Sequence, residues 1–208
     1  TVLYEVRDGV ALLTVDNPPV NPLSDGVRAG LYEGLAKAEA DSSVVGVVLT
    51  GNGRAFIAGA DISEFGGSGE GHGLAEVFKK LEYCSKPVVA AINGLALGGG
   101  LETALCCNYR IASNQAFVGL PEVNLGLLPG AGGTQRLPRL VGPAEALKIM
   151  LSGAHVPAKK ALSLGIVDSL SDNVVEDSIT FIKEKAANSE SHPLVRDLNN
   201  KVIEARGN

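Results

Sequence analysis

Glu102 and Glu122 are the residues in this sequence best placed to do chemistry. Both lie in the stretch 90–136, AAINGLALGGGLETALCCNYRIASNQAFVGLPEVNLGLLPGAGGTQR, which is otherwise nearly free of charge. Burying an ionised carboxylate alone is costly, so such groups are paired, hydrogen-bonded or shifted in pKa. Two in one neighbourhood raise the question of acid–base chemistry. Each also has a plainer reading. Glu102 would complement a helix dipole from the first turn, and Glu122 would cap the loop backbone that follows it. Their pairing beside two glycine-built turns, Gly98–Gly100 and Gly126–Gly130, favours catalysis.

The glycines raise a second possibility. Bare N–H groups at a helix start can face a developing oxyanion, and Ala60, in the tight turn Ala58-Gly-Ala-Asp61, offers a second donor. Tight strand–helix packing would also account for Gly98–Gly100. Neither the P-loop nor the dinucleotide glycine pattern is met, which disfavours a nucleotide fold. Asp61 is placed as an N-cap rather than as an acid catalyst. Cys106 and Cys107 read as small core residues, Lys79-Lys80 and Lys159-Lys160 as solvated helix faces, and His72 as exposed and uninvolved. The three histidines fall in no ligand-spaced motif, so no metal site is expected.

These residues need a frame. Residues 2–7 and 9–16 predict a hairpin turning at Asp8-Gly9. Ser24 or Asp25 starts a helix to about Asp41, and Val44–Thr50 reads as a buried strand. Phe56–Asp61 leads into a turn, and the glycine-rich segment 66–73 predicts a mobile loop before a helix ending near Cys84. Pro87–Ile92 is the next buried strand, and the glycines then open the helix carrying Glu102. Short strands follow at Tyr109–Ala112 and Ala116–Val118, and helices at Thr134–Leu140, Pro143–Ser152 and Val156–Leu164. A strand at Val167–Leu170 precedes helical patterns at about 174–188 and 193–206. This alternation predicts an α/β layered domain.

The 208 residues suit one domain with a substantial core, at 45% hydrophobic and 20% charged residues. A net charge of −5 argues against a nucleic-acid partner. No apolar run is long enough for a membrane span, and no signal segment opens the chain. Three cysteines without framework spacing predict reduced thiols and an intracellular setting. A first residue Thr1 and an open helical pattern at Asn208 are expected of a piece of a longer polypeptide.

Three stretches carry a family resemblance: Ala55–Ile62 (AFIAGADI), Ala96–Glu102 (ALGGGLE) and Gly119–Arg136 (GLPEVNLGLLPGAGGTQR). Together they resemble the enoyl-CoA hydratase/isomerase (crotonase) superfamily, in the expected order, over roughly residues 5 to 170. Asn17-Pro-Pro-Val-Asn21 and Val118–Val123 are most similar to the N-terminal part of multifunctional β-oxidation enzymes. There a 3-hydroxyacyl-CoA dehydrogenase part follows further along the chain.

The resemblance implies a spiral of ββα units with two roughly perpendicular sheets. Residues 1–190 would form the hydratase/isomerase domain, and 191–208 a truncated C-terminal helical extension. It implies that Ala60 and Gly99 donate to the thioester oxygen, that Glu102 and Glu122 are catalytic, and that Gly130 helps hold the reacting water. Ala58, Asp61, Ile62 and Pro121 would contact CoA or substrate. Ile57 stands where small residues are usual and is expected to narrow the approach to the Ala60 amide.

The activity implied is hydration of 2-trans-enoyl-CoA to 3-hydroxyacyl-CoA, without metal or redox cofactor. Having both glutamates favours hydratase over an isomerase needing only Glu122. An inactive acyl-CoA-binding scaffold, and a thioester hydrolase or decarboxylase, are the other readings. A multifunctional relative implies the peroxisome in a eukaryote, and otherwise cytoplasm or mitochondrion. Chain-length preference and oligomeric state are not written in these residues.

Overall fold

The computed structural model describes residues 1–61, 64, 71–188 and 191–207. The chain opens with strands β1 (Val2–Arg7) and β2 (Val10–Val15), paired antiparallel with Arg7 opposite Val10. Asp8 and Gly9 both take positive φ, +49° and +77°, which is the backbone a two-residue hairpin turn requires. Helix α1 (Asp25–Ala40) buries Val27, Leu31, Leu35 and Ala38 along one face. Ser24 stands at its N-cap, but the hydroxyl makes no cap and instead accepts from Asn17 Nδ2 at 3.2 Å.

The chain then winds in repeated turns, each with one strand in a first sheet and one in a second. Strands β3 (Gly46–Gly51) and β4 (Ala55–Ala58) lead to α2 (Leu74–Glu82). Strands β5 (Val88–Ile92) and β6 (Leu95–Leu97) lead to α3 (Gly99–Cys106). Strands β7 (Tyr109–Ser113) and β8 (Phe117–Gly119) lead to a 3-10 turn, Pro121–Leu125, and then α4 (Gly133–Val141). Helix α5 (Pro143–Ser152), the short β9 (Val156–Pro157), α6 (Ala158–Leu164) and β10 (Ser169–Ser171) follow. Helix α7 (Val174–Ala187), a 3-10 turn at Val195–Asp197 and α8 (Asn200–Arg206) complete the described chain.

One sheet runs in the order β1-β2-β3-β5-β7-β10 and is parallel beyond its first hairpin; the other runs β4-β6-β8-β9. In the second sheet β4, β6 and β8 pair parallel, and β9 returns antiparallel. The six-stranded sheet is covered on both faces, which is why its strands read as unbroken apolar runs. Val47, Leu49, Val88, Ala90 and Ile92 face the main core, while Val48, Val89 and Ala91 face a second cluster closed by Ile179 and Ile182 of α7.

Several expectations shift. Ala55–Ala58 is a strand rather than the lead into a turn, and Leu95–Leu97 is a strand where none was expected. Both are too short to show a period, and the sheet they join is visible only in three dimensions. The last strand is Ser169–Ser171, displaced toward the C-terminus, and the pattern at 193–206 divides into a 3-10 turn and α8. The glycine-rich segment expected to be a mobile loop falls mostly outside the described residues.

Residues from 191 onward pack on the body of the fold. Val195 is buried in the main core, Lys201 Nζ donates to Leu140 O, and Asn108 Nδ2 donates to Pro193 O at 3.2 Å. Among the described residues no helix is long and apolar enough to cross a membrane.

Candidate active site

The second sheet ends where the chemistry-bearing residues converge. A cavity of about 870 Å³ opens there, lined by Ala58, Gly59 and Ala60 at the end of β4 and by Gly98, Gly99 and Glu102 at the start of α3. Pro121 and Glu122 from the 3-10 turn and Gly130–Gly132 before α4 complete this wall. Leu74, Phe78, Leu97, Leu125, Leu127 and Leu128 supply an apolar lining. Ala58, Ala60, Gly99, Glu102, Pro121, Glu122 and Gly130 thus share one space. Asp61 lies just beyond the lining, and its half-buried position is compatible with the turn in which Glu64 N donates to its carbonyl. Ile62 lies outside the described residues.

Backbone positions Ala60 and Gly99 are adjacent. A β-carbon on Gly99 would lie 3.4 Å from the Ala60 nitrogen and 3.6 Å from the Gly59 carbonyl carbon. Gly99 is the first residue of α3, so its N–H has no carbonyl within the helix to serve. Gly98 precedes it at φ +53°, ψ −124°, a backbone state that suits glycine. Gly100 permits the close seat of α3 on β4, since a β-carbon there would fall 1.8 Å from Ile57 O. The Ala60 loop is pinned from the other side, where Leu23 N donates to Gly59 O at 3.0 Å and Ala58 N donates to Val20 O at 3.0 Å.

Glu102 is only 2% exposed. Its Oε1 accepts from Ala131 N at 2.9 Å and from Gly133 N at 2.8 Å, at the positive end of α4. Burial pushes its carboxyl above the ordinary glutamate value, while the two amides and the Arg136 charge pull the other way. Glu122 is less enclosed. Its Oε2 is buried and has no hydrogen-bond partner among the described residues. Burial raises its carboxyl too, opposed by a bond from its own backbone N–H and reinforced by the Glu102 charge. A carboxyl raised by burial, with an unpartnered oxygen at a cavity, holds its proton to higher pH than an exposed glutamate does.

Some surrounding features depart from expectation. Ile57 is fully buried beneath α3 and does not line the cavity, so it does not narrow the approach to Ala60. His72 is half-buried: its Nδ1 lies 2.9 Å from Glu76 Oε1, and its ring stacks on Tyr32 with centroids 3.8 Å apart. Lys80 is no solvated side chain, since its Nζ pairs with Glu39, whereas Lys79, on the cavity rim, and Lys159-Lys160 are exposed as expected. Cys106 and Cys107 are core residues, the Cys107 thiol pushed up to about 12 by burial.

Three contributors were given no role by the sequence. Asn21 is 1% exposed at φ +56°; its side chain donates to Asn52 O and Ala55 O and accepts from Asn17 N. It clamps the loop that pins Ala60. Glu82 and Arg136 form a nearly dry ion pair on the cavity wall, Nε to Oε1 at 2.8 Å. A buried asparagine after a double proline was the one available hint; single charges on helices offered none.

Comparisons with known proteins place the chain in a family. The enoyl-CoA hydratase/isomerase family pattern matches residues 5–204. A peroxisomal bifunctional enzyme of Danio rerio is 50% identical over 180 residues, which are 86% of this chain and 25% of that protein. A probable enoyl-CoA hydratase of Bacillus subtilis is 48% identical over 76% of this chain and 64% of its own length. The crystal structure of an enoyl-CoA hydratase from Bacillus anthracis, 33% identical, superposes with a TM-score of 0.81 over 89% of this chain and 76% of that one. The chain therefore spans about a quarter of the bifunctional relatives it matches. With its ββα spiral, its paired amides and its two glutamates on one cavity, this chain belongs to the enoyl-CoA hydratase/isomerase family.

Proposed function

We propose that this chain adds water across the double bond of a 2-trans-enoyl-CoA to give a 3-hydroxyacyl-CoA, in fatty-acid β-oxidation. The observation that supports this best is the pair of carboxylates on one cavity, Glu102 and Glu122, opposite the adjacent backbones of Ala60 and Gly99.

Attack of water at C3 of an enoyl thioester builds negative charge on the carbonyl oxygen. The N–H groups of Ala60 and Gly99 would stabilise that enolate, and losing one such donor typically costs about 3 kcal/mol. Glu102, with Oε1 anchored by two amides, keeps Oε2 to take the proton of the attacking water. Gly130, at the start of the same turn, would help hold that water. Glu122, raised in pKa, delivers a proton to C2 through its unpartnered Oε2. Water loses one proton and C2 gains one, so the glutamate pair exchanges roles and is restored by a proton transfer between turnovers. Ala58, Pro121 and the stretch Asp61-Ile62 would contact the CoA ester. The chemistry is acid–base throughout and asks for no cofactor beyond the CoA of the substrate.

Isomerisation of a 3-enoyl-CoA is a second activity on the same residues. It needs only proton removal at C2 and return at C4, for which Glu122 alone suffices, with the same oxyanion pair.

Residues 1–190 form the catalytic unit in this reading, and 191–208 begin a helical extension. The bifunctional relatives support a 3-hydroxyacyl-CoA dehydrogenase part elsewhere in the natural polypeptide, and an intracellular, peroxisomal setting in a eukaryotic host. Loss of the conjugated-thioester absorbance of crotonyl-CoA, and of a longer 2-trans-enoyl-CoA, tests the activity. Saturable loss that vanishes in Glu122→Gln is expected. Binding of the CoA ester by calorimetry without any loss would replace hydration with a binding role.

A further inference from the structure

The turn that holds Glu102 is itself held. Ala131 donates its N–H to Glu102 Oε1 at 2.9 Å, and its carbonyl accepts from Arg136 Nη1, also at 2.9 Å. Arg136 sits one helical turn into α4, and its backbone N–H donates to Gly132 O at 2.9 Å. Its guanidinium fills the space beside Gly132, where a β-carbon would come within 2.0 Å of Nη1. The opposite edge of the fork is fixed by Glu82, whose side chain is 6% exposed, through Nε to Oε1 at 2.8 Å. Glu82 in turn takes Arg196 Nη1 on its other oxygen at 3.4 Å.

We propose that Arg136 is a positioning residue for Glu102: its fork holds the 130–133 turn, and with it the two amides that fix the Glu102 carboxyl. The importance of that for turnover rests on reading Glu102 as the group that activates water.

The groups sharing the cavity with Glu102 give the clamp its sign. Glu122 from the 3-10 turn has its carboxyl raised in part by the Glu102 charge, while Arg136 is a cation that lowers Glu102. Lys79 and Glu82 on α2 and Arg196 from the last 3-10 turn line the same space, and Cys106 follows on α3 with a thiol pushed well up by burial. An amide pair alone would position Glu102. Burial raises the Glu102 carboxyl, and the Arg136 cation opposes that rise alongside the two amides. Arginine suits the task because one rigid fork serves carbonyl and carboxylate together.

The test follows the Glu102 carboxyl in the full 208-residue chain by carbon-13 NMR of labelled glutamate, the resonance being assigned by its loss in Glu102→Gln. In Arg136→Gln the Glu102 midpoint is expected to rise by about one pH unit. Because that change orphans Glu82, the double variant Glu82→Gln/Arg136→Gln provides a version without a stranded buried charge, and the same rise is expected there. Arg136→Lys, which keeps charge but loses the fork, should hold the midpoint near wild type. A midpoint unmoved in both glutamine variants overturns the inference.

Activity reads the consequence separately. Hydration by Arg136→Gln is expected to fall at least about tenfold in kcat, with KM little changed and the acid limb of the pH profile moved upward. Isomerisation should fall much less. A parallel fall of both activities with an unmoved limb would mark Arg136 as structural only and sink the proposal. A raised Glu102 midpoint with unchanged hydration would instead uphold the clamp and refute Glu102 as the water-activating base.

Discussion

Glu122 leans on Gly98: a β-carbon built on that glycine would lie 3.0 Å from Glu122 Oε1. The same glycine, at φ +53° and ψ −124°, turns the chain from β6 into α3 so that Gly99 begins the helix beside Ala60. One missing side chain therefore makes room for a carboxyl and sets the direction of an amide.

Gly98→Ala should damage both. The backbone strain alone costs about 1–3 kcal/mol, and the methyl group displaces Glu122. Thermal unfolding should begin several degrees lower, and both hydration and isomerisation should fall at least about tenfold at saturating substrate.

Glu102→Gln should lower the hydration kcat by about 10²–10⁴-fold, the usual range for a general base, while leaving measurable isomerisation. The amide oxygen still accepts from Ala131 and Gly133, so the fold should be kept. Equal hydration by variant and wild type, measured with crotonyl-CoA, would refute the assigned role.

Glu122→Gln should abolish both activities and stabilise the fold at neutral pH. Burial, then the Glu102 charge, raises the native pKa of Glu122 above the ordinary glutamate value. Native protein thus holds a proton that the unfolded chain has already released, and stability falls as pH rises from about 4.3 to the raised native value. Above that window the wild type bears the full penalty and the glutamine variant does not. Paired melting curves at pH 4 and pH 8 should show the variant's advantage only, or mainly, at the higher pH.

Asn21→Ala removes a buried hub. It removes a donor from the carbonyls of Asn52 and Ala55, the latter keeping only a long bond from Asn93 Nδ2, takes the acceptor from the N–H of Asn17 and puts alanine at φ +56°. A loss of about 2–4 kcal/mol is expected from the orphaned groups and the left-handed backbone. Since this loop pins Gly59, kcat should fall more than the mild change in substrate affinity, as kinetics at a temperature well below the melting point will show.

Much of this was legible in the residues. The hairpin at Asp8-Gly9, the apolar runs of β3 and β5 and the amphipathic face of α1 each encode their structure locally, by turn chemistry or by period. Glu102 and Glu122 stood out because a charge in an apolar stretch demands an explanation. The short strands Ala55–Ala58 and Leu95–Leu97 were not legible, because their pairing partners lie elsewhere in the chain and no local pattern exists at that length. His72 and Lys80 looked like surface residues, for the ring and the carboxylate that receive them, Tyr32 and Glu39, come from α1. The Arg136–Glu82 pair was hidden for the same reason, being made of two ordinary helix charges until α2 and α4 meet.

Successive turns of the spiral add one short strand each to the second sheet, and the site takes residues from three of those turns. Ala60, Gly99 and Gly133 are brought together by parallel pairings that no hairpin can close. Closing long loops before any contact rewards them makes such a topology slow to form. On a ribosome, the nascent chain cannot set Gly99 beside Ala60 until β6 has docked on β4, nor anchor Glu102 until α4 has been made. Under the proposed function, catalytic competence would be among the last properties to form, and a folding intermediate could hold most of the six-stranded sheet before its catalytic site exists.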